Sequence, residues 1–404
     1  MSRPLLSFLA GLLAVGTVLA QAPLSPRERA RADYPFLSRC YAEVGLGMLD
    51  YNESGGLPEG YVADRYSPNG FSGRLLLGTY LTDGLAVQYS TLRPAAWMKY
   101  HDVNGTTDDR TAFFNVWSLS LRQRLRLGPR LGLHLEAGLA NVTRKGFGWT
   151  DGPVLPSRHY VTGIAGASLS YAVDPRWDLF AQAVTLPRHR DVRPVQHYSA
   201  GARLHFRRLV PRAESLAGGA YFPERSLRIG YGTSAIGFAV NEFFSMQLET
   251  PGGTDVGLPI FWRGKVEARH TLQVGYERQV YRGRKVFALG WGASATAFQS
   301  EGRTWVAGAS VYPVLNFYFL RRRAVQPYVT WSVIGPTVLS EVDIDGVDTG
   351  PHITYQDFLG VGAHLGPRGR HNVEAKIEHY SNGNIFNRNA GVAVPVVLSY
   401  GWNW

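Results

Sequence analysis

The sequence predicts an all-β protein built as two eight-stranded antiparallel transmembrane β-barrels in tandem. Three observations carry that expectation. The chain opens with an export signal, no later window of its 404 residues is apolar enough for a spanning helix, and two-residue alternation recurs in sixteen segments joined alternately by long and short connections.

The opening "MSRPLLSFLAGLLAVGTVLAQAP" carries Arg3, an apolar run from Leu5 to Leu19 and small residues at Ala20 and Ala22. Such a layout is a secretory signal peptide, assigned to residues 1–20 because Pro23 would hinder cleavage after Ala22. The run is shorter than the roughly 20 residues a spanning helix needs, and no cysteine near the cut offers a lipid anchor. Cys40 is the only cysteine, so no intramolecular disulfide can hold the fold. The net charge of +11 comes from Lys and Arg that are scattered or placed in turns ("RGRK", "LRRRA", "GPRGR"). That distribution suits anionic lipid headgroups and argues against nucleic acid as a partner.

Alternating segments fall near 38–50, 70–81, 84–93, 113–127, 131–144, 160–172, 176–187 and 197–207. Short turns at "LTDG", "LGPRLG" and "VDPRW" alternate with longer loops, the rhythm of outer-membrane barrels with tight periplasmic turns and longer outside loops. A second set follows near 226–239, 266–281, 285–298, 304–320, 324–338, 354–366, 371–382 and 390–404. The expected domains are therefore a barrel at 36–207, a Gly-, Pro- and charge-rich linker at 208–225, and a second barrel at 226–404. A single merged sixteen-stranded barrel would need an unusually long periplasmic connection between its eighth and ninth strands. A soluble β-sandwich would alternate too, but would need neither the signal nor the loop rhythm. In the last strand Val392, Val394, Val396, Leu398, Tyr400, Trp402 and Trp404 are expected to share one lipid-facing side. Its terminal aromatic points to the outer-membrane assembly machinery as a partner and to the outer membrane of a Gram-negative bacterium as the location.

Strand 371–382 ends in "EHYSN". Alternation places Asn372, Glu374, Lys376, Glu378 and Tyr380 on the luminal face and Val373, Ala375, Ile377, His379 and Ser381 outside. The outward pair would lie at the outer leaflet, where neutral polar side chains cost little. Residues two apart on a strand are about 7 Å apart at Cα, so imidazole can reach the hydroxyl and act as its general base. The same tripeptide in "QHYSAG" (196–201) puts His197 and Ser199 with Arg203, His205 and Arg207 toward a lumen, a structural role. Asp343, Asp345 and Asp348 in "SEVDIDGVDTG" lack the closing glutamate of a calcium loop and read as a solvated exterior loop. No metal-ligand spacing occurs among the eleven histidines, and no cofactor is expected.

The stretch "HYSNGNIFNRNAG", on the penultimate strand of the C-terminal eight-stranded barrel, resembles the outer-membrane lipid A 3-O-deacylases, the acyloxyacyl hydrolase family. The resemblance covers about 226–404 and is most specific at 379–391. It implies an esterase that removes an ester-linked acyl chain from lipid A of lipopolysaccharide, with Ser381 as nucleophile, His379 as base, and Asn382 and Asn389 at the oxyanion hole; Gly391 matches the glycine after the second asparagine. Family members place a glutamate four residues beyond the second asparagine, where this chain has Ala393. Glu378 has luminal parity, which leaves a backbone carbonyl, Asn384 or Asn387 as candidates to orient His379. The N-terminal half resembles generic small outer-membrane barrels and carries no comparable motif. The competing reading is a non-enzymatic barrel, structural or a narrow channel, with a degenerate site.

Overall fold

The computed structural model describes residues 33–404 apart from 52–56, 58–59, 63–64, 68–69, 96–97, 106–109, 150–151, 190–192, 207–222, 235–246, 250–254, 258–263, 284–285, 321–323 and 387. The signal sequence at 1–20 and most of the expected linker lie outside the described residues.

Eight long strands make up the N-terminal half: β1 Cys40–Asp50, β2 Phe71–Tyr80, β3 Leu85–Pro94, β4 Arg110–Arg126, β5 Leu131–Lys145, β6 Arg158–Ala172, β7 Trp177–Leu186 and β8 Val195–His205. Each pairs antiparallel with its sequence neighbour, and β8 returns to β1 with Tyr41 opposite His205, so the eight form a ring. The short connections share one closure. Leu81, Leu127 and Val173 donate their N–H groups to Leu85, Leu131 and Trp177. Thr82 and Asp174 reinforce the turns by accepting from the amides of Leu85 and Trp177.

The C-terminal half is a closed barrel of β9 Arg225–Thr233, β10 Val266–Arg282, β11 Phe287–Ser300, β12 Trp305–Tyr318, β13 Val325–Leu339, β14 Ile353–Leu365, β15 His371–Ser381 and β16 Val392–Asn403. Here β9 pairs with β10 and β16 rather than with β8, so the two sets of strands are separate sheets.

Polarity is reversed relative to a water-soluble fold. Outward positions carry Leu46, Met48, Leu75, Leu77, Leu119, Leu121, Leu139, Leu179, Val274, Val361 and Leu398, all exposed. Inward positions carry buried ions. In the N-terminal ring Arg122 and Arg203 both bond Glu43, Arg203 also reaches Asp178 at 3.1 Å, and Arg74 meets Glu136 at 2.5 Å. In the C-terminal barrel Arg228 bonds Glu277 and lies 3.4 Å from Glu374, while Lys376 lies 2.8 Å from Glu378. Buried charge survives only when paired and hydrogen-bonded, and these lattices meet that condition. Toward the exterior ends, apolar clusters around Phe114 and Val142 in one ring and Phe298 and Val394 in the other fill the interiors. An eight-stranded interior is just wide enough for such a side-chain filling.

The final strand departs from the expected single face. Between the pairs Lys376–Val397 and Glu378–Val394, β15 advances two residues and β16 three. The extra residue falls beside Pro395, which has no N–H to give the ladder and is tolerated at such a bulge. Leu398, Tyr400, Trp402 and Trp404 therefore face outward, whereas Val392 and Val394 turn inward into the apolar cluster.

Candidate active site

Strand β15 separates its two faces as alternation requires. Its luminal side chains bond into the interior: Asn372 accepts from Arg228 Nε at 2.8 Å, Glu374 from the Tyr328 hydroxyl at 2.8 Å, and Glu378 from Gln273 and Gln356 at 3.0 Å. Glu378 is thus committed to the barrel interior. His379 and Ser381 occupy the other face, beyond the apolar Val373, Ala375 and Ile377.

A middle strand has a neighbour on each side, and both neighbours matter to His379. Across β14 its partner is Asp357, and across β16 it is Ala393. Nδ1 of His379 lies 2.9 Å from Oδ1 of Asp357. An ionised carboxylate only accepts, so the Nδ1 atom carries the proton and Nε2 is left as the basic nitrogen. Ser381 follows two residues on along the same face, opposite Tyr355. Acid, imidazole and hydroxyl accordingly share one side of two neighbouring strands.

The group bonded to His379, looked for at 393, in a backbone carbonyl or in the loop at Asn384 or Asn387, is the Asp357 carboxylate of the preceding strand. Ala393 does stand on the outward face beside His379, because the bulge at Pro395 shifts the register by one, but it has no carboxylate to offer. Asn384 accepts from Asn389, and Asn387 lies outside the described residues. A signal for Asp357 was present in the sequence. The turn "GPRGR" joins Leu365 to His371, and equal steps back and forward from that pair lead to Asp357 and His379. Asp357 is also the one charged residue among the outward Ile353, Tyr355, Leu359 and Val361 of β14.

After Ser381 the chain makes a tight turn. The Ile385 N–H donates to the Asn382 carbonyl at 3.0 Å, with Gly383 and Asn384 at φ +60° and +57°. Left-handed φ at both central positions defines a type I′ turn, which Gly and Asn accept most readily. Asn389 braces it: its Oδ1 accepts from the Asn382 backbone N–H at 2.8 Å, and its Nδ2 donates to Asn384 Oδ1 at 3.1 Å. The Asn382 side chain is buried and donates to the Arg388 carbonyl. Both asparagines therefore build the loop beside Ser381. Each side-chain NH2 retains a second N–H, and the turn's own bond leaves the Gly383 and Asn384 amides unused.

The other sequence candidates lie apart from this strand face. His197 and Ser199 point into the N-terminal ring, where Ser199 accepts from Gln182 at 2.8 Å. Asp345 accepts from Ser300, Gly302 and Thr304 at 2.8 to 2.9 Å, tying two exterior loops together, and Asp348 pairs with Arg388. Among the described residues no group of three or more His, Cys, Asp or Glu could hold a metal ion.

Residues 264–403 match the protein family described as Lipid A 3-O-deacylase (PagL). The match starts at the foot of β10, so β9 lies before it. A search among curated proteins finds no match. Similar solved structures include the outer membrane enzyme PagL, at 17% identity and TM-score 0.31, covering 44% of this chain and 99% of that one. They also include the N-terminal β-barrel domain of Pseudomonas aeruginosa OprF, at 16% and 0.27 over 41% of this chain and 96% of that one. Ail, the attachment invasion locus protein of Yersinia pestis, matches at 16% and 0.28, over 41% of this chain and 97% of that one.

Proposed function

We propose, starting from the lipid A 3-O-deacylase match over residues 264–403, that this protein is an outer-membrane esterase of a Gram-negative bacterium that removes an ester-linked acyl chain from lipid A. The observation that carries the reading is the Asp357–His379 hydrogen bond on the outward face that also bears Ser381. A serine and a histidine alone could be decoration at a strand end. An acid bonded to the nitrogen remote from the reaction is what a nucleophilic triad needs and what a lipid-facing wall otherwise avoids.

Ser381 Oγ attacks the ester carbonyl of the acyl chain while His379 Nε2 takes its proton. Asp357 fixes the tautomer and stabilises the imidazolium. The N–H groups of Gly383 and Asn384 and the second amide hydrogens of Asn382 and Asn389 are the candidates to receive the oxyanion. As the tetrahedral intermediate collapses, the C–O bond to the sugar breaks, and His379 returns the proton to the departing sugar oxygen. Water then attacks the acyl-serine, with His379 as base again, and releases the fatty acid. The apolar outer walls are suited to bilayer contact, and the outward Tyr400, Trp402 and Trp404 to the membrane interface and the assembly machinery.

Mass spectrometry of lipid A from cells expressing wild type or Ser381→Ala tests the reading. A species lacking one acyl chain is expected only with wild type. Identical lipid A in both, with each protein confirmed in the outer membrane, would instead support a non-enzymatic barrel.

A further inference from the structure

The N-terminal ring has an anomaly on its outer wall. Below the exterior end, outward positions of β4 and β5 are Leu119, Leu121, Leu135 and Leu139, all exposed and apolar. Near that end the wall turns polar in one patch. Asn115, Thr143 and His159 stand in a single cross-strand row, and Asn141 lies beside them opposite Trp117. Although they face outward, Asn115 is 4% exposed and Thr143 2%.

What covers them is the turn that follows Ser381. Asn141 Nδ2 and Thr143 Oγ1 both donate to the Ile385 carbonyl, at 2.8 and 3.0 Å, and Asn115 Nδ2 donates to the Gly383 carbonyl at 3.3 Å. His159 Nε2 lies 2.5 Å from Asn141 Oδ1, and its ring meets Phe386 edge-on at 5.9 Å. Gly383 sits against Trp117, whose indole would be 3.3 Å from a Cβ placed there. Polar side chains directed at hydrocarbon without partners are costly, and so are unpaired buried carbonyls. Here the Asn115, Asn141 and Thr143 donors and the Gly383 and Ile385 carbonyls satisfy one another.

We propose that the N-terminal ring is a working part of the esterase site, with Asn115, Asn141 and Thr143 as positioning residues that clamp the turn carrying the oxyanion donors; this rests on the hydrolase reading above. The leverage is short. Ile385, whose carbonyl two of the side chains hold, closes the type I′ turn onto Asn382, the residue next to Ser381. Gripping the Gly383 and Ile385 carbonyls fixes the planes of the Gly383–Asn384 and Ile385–Phe386 peptides, and the first of these carries the Asn384 N–H. That N–H is thereby aimed before substrate arrives, as electrostatic stabilisation of an oxyanion requires. A displacement of about 1 Å at such a site can cost roughly a hundredfold in rate.

The test uses the full-length protein in detergent micelles with lipid A. Thr143→Val together with Asn141→Leu keeps side-chain volume and removes both donors to Ile385. Expected is a fall in kcat of roughly a hundredfold with KM within a factor of about three. Thr143→Ser, which keeps the hydroxyl, should stay near wild type. In parallel, hydrogen exchange should show protection lost at 382–386 in the double variant while β14 and β15 stay protected. If wild type hydrolyses lipid A in a Ser381-dependent manner and the double variant matches it in kcat, the positioning role is wrong and the hydrolase reading stands. If wild type is inactive, the hydrolase reading fails and the positioning role falls with it, while unchanged protection in the double variant would refute the clamp on its own.

Discussion

The sharpest consequence of the site concerns Asp357. Replacing it by Asn changes one oxygen to NH2 and leaves volume, strand register and the neighbouring Tyr355 and Leu359 as they are. The 2.9 Å contact to His379 Nδ1 can persist, but as a bond to a neutral acceptor, or with the amide NH2 turned toward the ring so that the wrong nitrogen is protonated. Either outcome removes the charge that offsets the imidazolium formed as Ser381 loses its proton. A carboxylate-to-amide change in a Ser-His-Asp triad costs roughly 10⁴ in kcat, about 5 kcal/mol of barrier. Asp357→Asn should therefore lower single-turnover deacylation of micellar lipid A by about four decades, with substrate affinity nearly unchanged. Unheated electrophoretic mobility should report an intact barrel. A rate within threefold of wild type would refute the assignment of Asp357, whatever the fate of Ser381→Ala.

Ala393→Glu in the wild-type background should change kcat by less than about threefold, because His379 already has its acid; in an Asp357→Ala background it should recover one to two of the lost decades, since 393 flanks the same imidazole from β16. Gly383→Ala puts a side chain at φ +60° and against Trp117, so a cost of about 1–2 kcal/mol in turn stability and reduced kcat are expected by hydrogen exchange and deacylation assay. Burial alone would raise the Asp345 carboxyl, but the bonds from Ser300, Gly302 and Thr304 outweigh it and hold its pKa below the ordinary aspartate value. The anchor it gives the exterior loops should be intact above the unfolded value and fade as pH falls through the lowered one, seen as faster proteolysis at 341–350 in acid; Asp345→Asn should abolish that dependence.

How far the sequence reveals this site depends on which interactions are local. The sixteen segments were legible because alternation has period two and the short turns repeat one closure, as at Leu81, Leu127 and Val173. The His-Ser pair was legible because both lie on one strand. Asp357 required a register, which a five-residue turn does supply, but only if pairing is counted strand against strand rather than sought at the position where the family carries its glutamate. The face of Ala393 could not be read without locating the bulge, and Pro395 was the only hint of it. The grip of Asn115, Asn141 and Thr143 on the 383–385 turn joins residues more than two hundred positions apart, and no periodicity reports contact between two separate sheets.

The two flanks of His379 offer equivalent places for a carboxylate that orients its ring. A histidine on an inner strand has one direct partner on each side, at similar Cβ separations, and both project to the same face. On the β16 side, that equivalence depends on the extra residue at Pro395; without it, position 393 would turn into the lumen. On the β14 side no bulge intervenes between Leu365–His371 and Asp357–His379, so the tight turn alone fixes the acid's place. An acid on β14 is thus tied to the simpler register, and it leaves β16 free to pack small residues against Gly264 and the foot of β10, where Gly264 comes so close to the Ala393 backbone that even a Cβ would clash. A glutamate at 393 must find its room outward, beside His379. For that reason the rescue in the Asp357→Ala background should be partial: the carboxylate can reach the imidazole, but only with the ring turned toward β16, away from the orientation that Asp357 gives it in the wild type.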